Sequence, residues 1–135
     1  MMKEFVLWIW QLPQNLLGLL LLLYYQHEQE YHRFNGRRFY YTREMVSGIS
    51  LGNYIIMNRK DKEDGMRHEY GHSVQSRRLG WLYLLIIGLP SLLWNIIDRR
   101  VVEPRIGWER SCRLYYAMPW EHRADVLGGV HRYSE

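Results

Sequence analysis

Three features of the sequence predict an α+β fold, mainly helical with one small β-hairpin, in a single domain of 135 residues. Two long apolar blocks lie near either end, a stretch rich in aromatic and β-branched residues separates them, and a polar helical segment carrying paired histidines follows that stretch.

The first block, Phe5 to Tyr25, holds 21 residues without a formal charge. As one helix it would reach roughly 31 Å, about the hydrocarbon thickness of a bilayer, so an anchor helix is expected over residues 5–25. A cleaved signal peptide fits less well, because the stretch is too long, Lys3 is the only basic residue before it, and no small-residue cleavage site follows. Trp8, Trp10, Tyr24 and Tyr25 near its ends suit the headgroup level. The amides of Gln11, Gln14 and Asn15 are expected to face protein or the interface, since unpaired amides are costly in lipid.

After a polar stretch from Gln26 to Phe34, Asn35-Gly36 marks a turn. Residues 37–46 and 49–58 then read as the two arms of a β-hairpin (37–58) joined at Ser47-Gly48. Asp61 as N-cap, Glu63 and Asp64 in the first turn, Arg77 and Arg78 in the last and Gly80 beyond predict a helix over 62–79. The second apolar block, 79–97, carries Gly88-Leu89-Pro90 in its middle, which predicts a kink or a reversal there; re-entrant, interfacial and core placements all remain open. An Arg-rich stretch runs from Asp98 to Arg113, and a last helix is expected over 119–129.

A net charge of +4 with six Trp and eleven Tyr suits a nucleic-acid binder or a membrane-surface protein. Clustering of apolar residues into two blocks favours the lipid bilayer as partner, and no nucleic acid is expected, because no helix-turn-helix, finger or RNA-binding signature is present. Cys112, the single cysteine, reads as a small buried apolar residue.

Chemistry centres on His68-Glu69-Tyr70-Gly71-His72, an H-E-x-x-H pattern. Residues four apart share a helical face, so both imidazoles can hold one Zn²⁺ while Glu69 acts as the base that takes a proton from water. Catalytic zinc usually takes a third protein ligand. Glu121 is the best candidate, because it opens Glu121-His122-Arg123-Ala124-Asp125, an E-x-x-A-D pattern with both carboxylates on one helical face. Asp125 would then accept a hydrogen bond from His68 or His72. Glu103, Glu109, His122 and His131 are weaker alternatives as third ligand, since none of them opens a second E-x-x-A-D pattern.

With these two motifs the chain resembles the gluzincin metallopeptidases, and among them the membrane-embedded CAAX prenyl proteases and heat-shock membrane proteases. The match covers Arg67 to His72 and Glu121 to Gly129. The resemblance implies a minimal zincin fold, zinc as cofactor, Glu121 as third ligand and hydrolysis of a peptide or protein substrate. Only 48 residues separate His72 from Glu121, and the chain is far shorter than those proteases, so substrate class does not carry over. The transition-state donor stays open among Tyr115, Tyr116 and His131. In zincin folds a strand beside the active-site helix holds substrate in extended form; Ile49, Ser50, Leu51, Gly52, Asn53 and Tyr54 form the nearest segment, with Gly52 allowing close approach.

If each apolar block crossed a bilayer once, His68 and Glu121 would lie on opposite sides, and one zinc ion could not bind both. The charges agree: residues 26–78 hold ten Lys or Arg, the tail after Ile97 holds seven, and Lys3 stands alone before the first block. Both long polar segments then favour the cytoplasmic side, with the second block entering and leaving by one face near Gly88-Leu89-Pro90. A zinc-stabilised membrane scaffold without catalysis is the alternative function, although such a site has no use for Glu69.

Overall fold

The computed structural model describes residues 1–25, 30–34, 37–43, 48–58 and 63–131. The expected turn at Asn35-Gly36, Ser47 of the second turn, and Asp61 and Lys62 at the helix start lie outside the described residues. The architecture is α+β and mostly helical.

The first apolar block does not form the single anchor helix expected over 5–25. It breaks at Gln11 into α1 (Met2–Trp10) and α2 (Leu12–Tyr24), which meet at 86°. The polar run causes the break, because Gln11, Gln14 and Asn15 are wholly buried against the rest of the protein. Ser76 Oγ donates to Gln11 Oε1 at 2.7 Å, Gln14 Nε2 donates to the Gly80 carbonyl at 2.8 Å, and Asn15 Oδ1 accepts the Asn53 N–H at 2.8 Å. Pro13 sits in the first turn of α2, where its missing N–H removes no helical bond. Among the described residues no single helix is long and apolar enough to cross a membrane; two bent pairs meet that test jointly, by length and composition.

Four strands follow: β1 (Glu30–Phe34), β2 (Arg37–Thr42), β3 (Ile49–Leu51) and β4 (Tyr54–Asn58). Their order in the sheet is β1-β2-β4-β3. The expected hairpin between 37–46 and 49–58 is not formed: β2 and β4 pair in parallel, and the antiparallel pairs are β1 with β2 and β3 with β4. The reason is a second turn inside the 49–58 arm, at Gly52-Asn53, which sets Leu51 opposite Tyr54. One sheet face carries Phe39, Ile55 and Met57, packed with Tyr41 and with Met66 and Tyr70. Against β3 and β4 also lies α2, whose Gly18 packs closely on Tyr54 and the Leu51 carbonyl, 3.0 and 3.2 Å from where a Cβ would stand.

Helix α3 (Glu63–Leu79) carries Glu63 and Asp64 in its first turn and Arg77 and Arg78 in its last, matching the helix dipole at both ends. It stops at Gly80, whose φ of 57° admits few other residues and whose missing side chain makes room for the Trp10 indole. After a 3₁₀ turn over Gly80–Leu82 the chain bends by 119° into a long helix, Leu84–Ile106. That helix comprises a π-helical stretch Leu84–Gly88, α4 (Leu89–Ile97), a second π stretch Asp98–Val102 and α5 (Glu103–Ile106).

No reversal occurs at Gly88-Leu89-Pro90. Gly88 and Leu89 keep helical dihedrals, and the Leu89 N–H bonds the Leu84 carbonyl five residues back. The widened turn accommodates Pro90 without breaking the helix. The reversal falls instead at Gly107, with φ 87° and ψ 163°, beyond which α6 (Trp108–Ala117) runs back along the long helix. Ser111 Oγ donates to Asp98 Oδ1 at 2.6 Å and Asn95 Nδ2 to Tyr115 Oη at 3.5 Å, a descending and ascending series that fixes the antiparallel register. Placing both ligand segments together thus needs no turn within the apolar block.

The last helix, α7 (Pro119–Gly128), lies antiparallel on α3. A side chain on Gly71 would overlap the Ala124 carbonyl, one on Gly128 would overlap the Arg67 carbonyl, and Gln75 Nε2 donates to the Trp120 carbonyl at 3.0 Å. Overpacking of this kind costs about 1–3 kcal/mol. Gly71→Ala is therefore expected to lower stability by at least that range in urea unfolding, whereas Gly88→Ala, which meets nothing nearer than Leu84 Cδ2 at 3.3 Å, should be neutral or stabilising.

Candidate metal centre

Because α3 and α7 touch at Gly71 and Ala124, the residues one turn away on each helix face one another at short range. His68, His72 and Glu121 are all buried, and one donor atom from each lies within 4.8 Å of the others. Glu121 Oε2 is 2.9 Å from His68 Nε2 and 3.0 Å from His72 Nε2. Two imidazole nitrogens and one carboxylate oxygen are a donor set that suits zinc.

The other ring nitrogens are fixed as well. His68 Nδ1 pairs with Asp125 Oδ1 at 2.6 Å, so of the two imidazoles open to it Asp125 takes His68. His72 Nδ1 donates to Gln75 Oε1 at 2.6 Å, and the Gln75 amide is itself oriented by its bond to the Trp120 carbonyl. Both contacts leave Nε2 directed at the shared point and set the ring planes, the usual support of metal-binding imidazoles. The second oxygen of Glu121, Oε1, accepts from Ser91 Oγ in a short hydrogen bond and from Tyr115 Oη at 3.3 Å. Tyr83 Oη, nearby in the cleft, donates to the Ser50 carbonyl at 3.0 Å.

Electrostatics follow from this packing. Burial alone would lower the His68 pKa, but hydrogen bonds with Asp125 and Glu121 and the charges of Glu69 and Glu121 outweigh it and raise it to about 9. Burial alone would raise the Glu121 pKa, and its bonds with His68 and His72 bring it well below the ordinary carboxylate range. Tyr115 is pushed up by burial and then by the Glu121 charge, so its hydroxyl remains a donor.

Glu69 is only 9% exposed and lines a cleft of about 970 Å³ together with His68, His72 and Glu121. A side chain on Gly48 would press on the Glu69 carboxyl arm, with Cγ at 2.9 Å and Oε1 at 3.0 Å from the added carbon. Gly48 thus reserves the space that Glu69 occupies.

Of the candidate donors, Tyr115 reaches Glu121, and Tyr116 sets its ring edge against His68 with centroids 5.3 Å apart; both line the cleft. His131 is exposed and does not line it. Glu109 and His122 are exposed, Glu103 lies at the far end of the cleft, and none of these joins the His68–His72 pair. Ile49, Ser50 and Leu51 form the edge strand β3 and line the cleft beside Glu69. Gly52, Asn53 and Tyr54 do not, because Gly52 is packed on Asn15 of the chain itself. Among the described residues Ser50 Oγ is buried without a partner.

Sequence reasoning assigns no site role to Gln75, Ser91 or Asn95, and reads Gly48 as a turn residue alone. Gln75 follows His72 by three residues, on the same helical face. Ser91 and Asn95 in the second apolar block and Asp98 just beyond it recur at helical spacing, a polar stripe visible in the sequence.

The chain matches no protein-family model, no curated protein and no solved structure.

A metal ion must displace the proton that the raised pKa of His68 retains. Apparent zinc affinity should therefore rise about tenfold per pH unit from pH 6.5 and level off near pH 9, as read by competition with a chromogenic chelator. The metal-free protein should behave oppositely. Its His68 pairing contributes stability that is complete below 6.5 and is lost as pH rises through about 9, which thermal unfolding with a chelator present will show.

Proposed function

We propose that this protein is a membrane-associated, zinc-dependent hydrolase acting on a peptide bond, of gluzincin type. One observation carries the reading: three buried donor atoms converge within 4.8 Å on one wall of a cleft that Glu69 shares. A site serving only to hold the fold together has no need of an open cleft or of a carboxylate beside its ligands.

His68, His72 and Glu121 would hold zinc, which when bound supplies a Lewis acid that brings the pKa of water toward neutrality. The chain's own residues do the remainder. Glu69, confined by Gly48, takes the proton of the attacking water and returns it to the leaving amine. Asp125 and Gln75 hold the two imidazoles in place, and Ser91 and Tyr115 occupy Oε1 of Glu121 so that Oε2 stays turned toward the histidines. Tyr116 and Ser50 Oγ line the cleft as candidate donors to the carbonyl under attack. Residues Ile49–Leu51 offer an extended edge for substrate backbone, although Tyr83 already occupies the Ser50 carbonyl.

Mass spectrometry of detergent-purified protein, prepared without chelators, tests this. About one zinc per chain is expected in the native protein and in Glu69→Gln, and a marked loss in Glu121→Ala. On a peptide library, Glu69→Gln should lower turnover by about 10² to 10⁴. A native protein that takes up no zinc removes the proposal.

A further inference from the structure

The long helix widens as it leaves the metal centre. Over Asp98–Val102 it winds as a π-helix, and the Glu103 N–H bonds the Asp98 carbonyl five residues back. In an α-helix, residues five apart stand roughly 140° around the axis from one another, so two such carboxylates would face different walls. The π turn stacks them instead, and both Asp98 and Glu103 line the cleft. Turns of this kind are rare and gather at functional sites.

Asp98 is only 8% exposed. Its Oδ1 accepts from Ser111 Oγ at 2.6 Å, and among the described residues neither of its oxygens, nor Glu103, forms an ion pair. Arg99 is the only Lys or Arg among the described residues that line the cleft; it stands about 100° round the helix from Asp98 and is exposed, where solvent screens it. A buried carboxylate without a counter-charge is costly. Holding α6 in register does not require one, because an asparagine would offer Ser111 the same acceptor oxygen. Asp98 thus brings to the cleft a charge that the fold itself does not use. Trp108, at the same end of the cleft, is 71% exposed, and the face of an indole also favours a cation.

Hydrogen bonds fix where this pair lies relative to the metal donors. Ser91 on the long helix and Tyr115 on α6 both reach Glu121, Asn95 then meets Tyr115, and Asp98 meets Ser111 beyond it. Asp98 follows Ser91 by seven residues, about 10 Å along the axis, the span of roughly three residues of extended chain. We propose that Asp98, with Glu103 farther along, is the subsite for a cationic group of the substrate, a lysine or arginine side chain or an amino terminus, within about three residues of the bond cleaved. The subsite stands on the two carboxylates and the cleft; its assignment to a substrate rests on the hydrolase reading.

Two measurements decide it. Cys112, the single cysteine, follows Ser111 and lines the cleft, so its reactivity reports the charge there. Its rate with trimethylammonioethyl methanethiosulfonate is divided by its rate with the sulfonatoethyl reagent, each normalised to mercaptoethanol. The ratio should exceed one in the native protein and fall about threefold or more in Asp98→Asn, with a smaller fall in Glu103→Gln. A ratio that folded Asp98→Asn leaves unmoved overturns the subsite; where that variant does not fold, an unmoved ratio in Glu103→Gln does so. For the substrate, peptide hydroxamates are titrated calorimetrically into zinc-loaded protein, with the hydroxamate at the carboxyl end in one series and on an amino-terminal malonyl group in the other. Lysine, or its uncharged isostere norleucine, stands one, two or three residues away. Lysine should bind about 10- to 100-fold tighter at its matching position, and Asp98→Asn should erase that preference while leaving acetohydroxamate binding intact. Equal binding of lysine and norleucine throughout, or a preference that survives Asp98→Asn, overturns the assignment to substrate and leaves the hydrolase reading standing. If no zinc loads, or acetohydroxamate fails to bind, the hydrolase reading fails instead, and the Cys112 ratio still decides the subsite.

Discussion

Backbone contact between α3 and α7 is the constraint on which the remainder of this structure depends. Three small residues permit it: Gly71 beneath the Ala124 carbonyl, and Gly128 beneath that of Arg67. Gly71 lies inside the H-E-x-x-H motif, so the segment that supplies the histidines also supplies the groove that receives the helix of Glu121. At an ordinary interhelical distance of 8–10 Å set by larger side chains, a glutamate would reach the imidazoles only by extending across a gap. Here one turn of each helix suffices. The same closeness allows Gln75 to bond the Trp120 carbonyl and Asp125 to bond His68.

Around that pair the protein is held by polar as well as apolar burial. Buried side chains include Gln11, Gln14, Asn15, Ser73, Ser76 and Ser111, and many large apolar residues lie outside. The amides at the α1–α2 break tie the first block to the end of α3 and to the Gly52-Asn53 turn, and the Ser91–Asn95–Asp98 stripe ties the long helix to α6 and α7. Hydrogen bonds of this kind gain in relative weight where apolar contact with the surroundings costs nothing, as in lipid. For a protein set in lipid, as proposed above, the polar interior and the apolar exterior would share one physical explanation.

The sequence carried the site more fully than the fold. H-E-x-x-H and E-x-x-A-D are local patterns in which helical spacing alone fixes which side chains share a face, and His68, His72, Glu121 and Asp125 meet as that spacing requires. The buried amides at Gln11 to Asn15 were legible as costly in lipid, yet their power to break the block into two helices depended on partners 38 to 66 residues away. The parallel pairing of β2 with β4 was not legible, because the turn at Gly52-Asn53 competes with the one at Ser47-Gly48 and periodicity cannot rank them. Local rules alone mark Pro90 as a place of disruption, and the π-helical register that absorbs it is a response of the surrounding backbone. Gln75 was not legible because a neutral amide three residues after a histidine is common on helices and carries no metal-site pattern of its own.

That neutrality has a consequence for charge balance. Glu69, Glu121 and Asp125 bring three negative charges into a buried space, and the partner of His72 adds none. A divalent cation would leave a single negative charge. With an acid at position 75 the loaded site would carry two, a heavy penalty where water is excluded. The amide therefore keeps the occupied centre within one unit of charge of neutrality, where an acid in its place would double the imbalance.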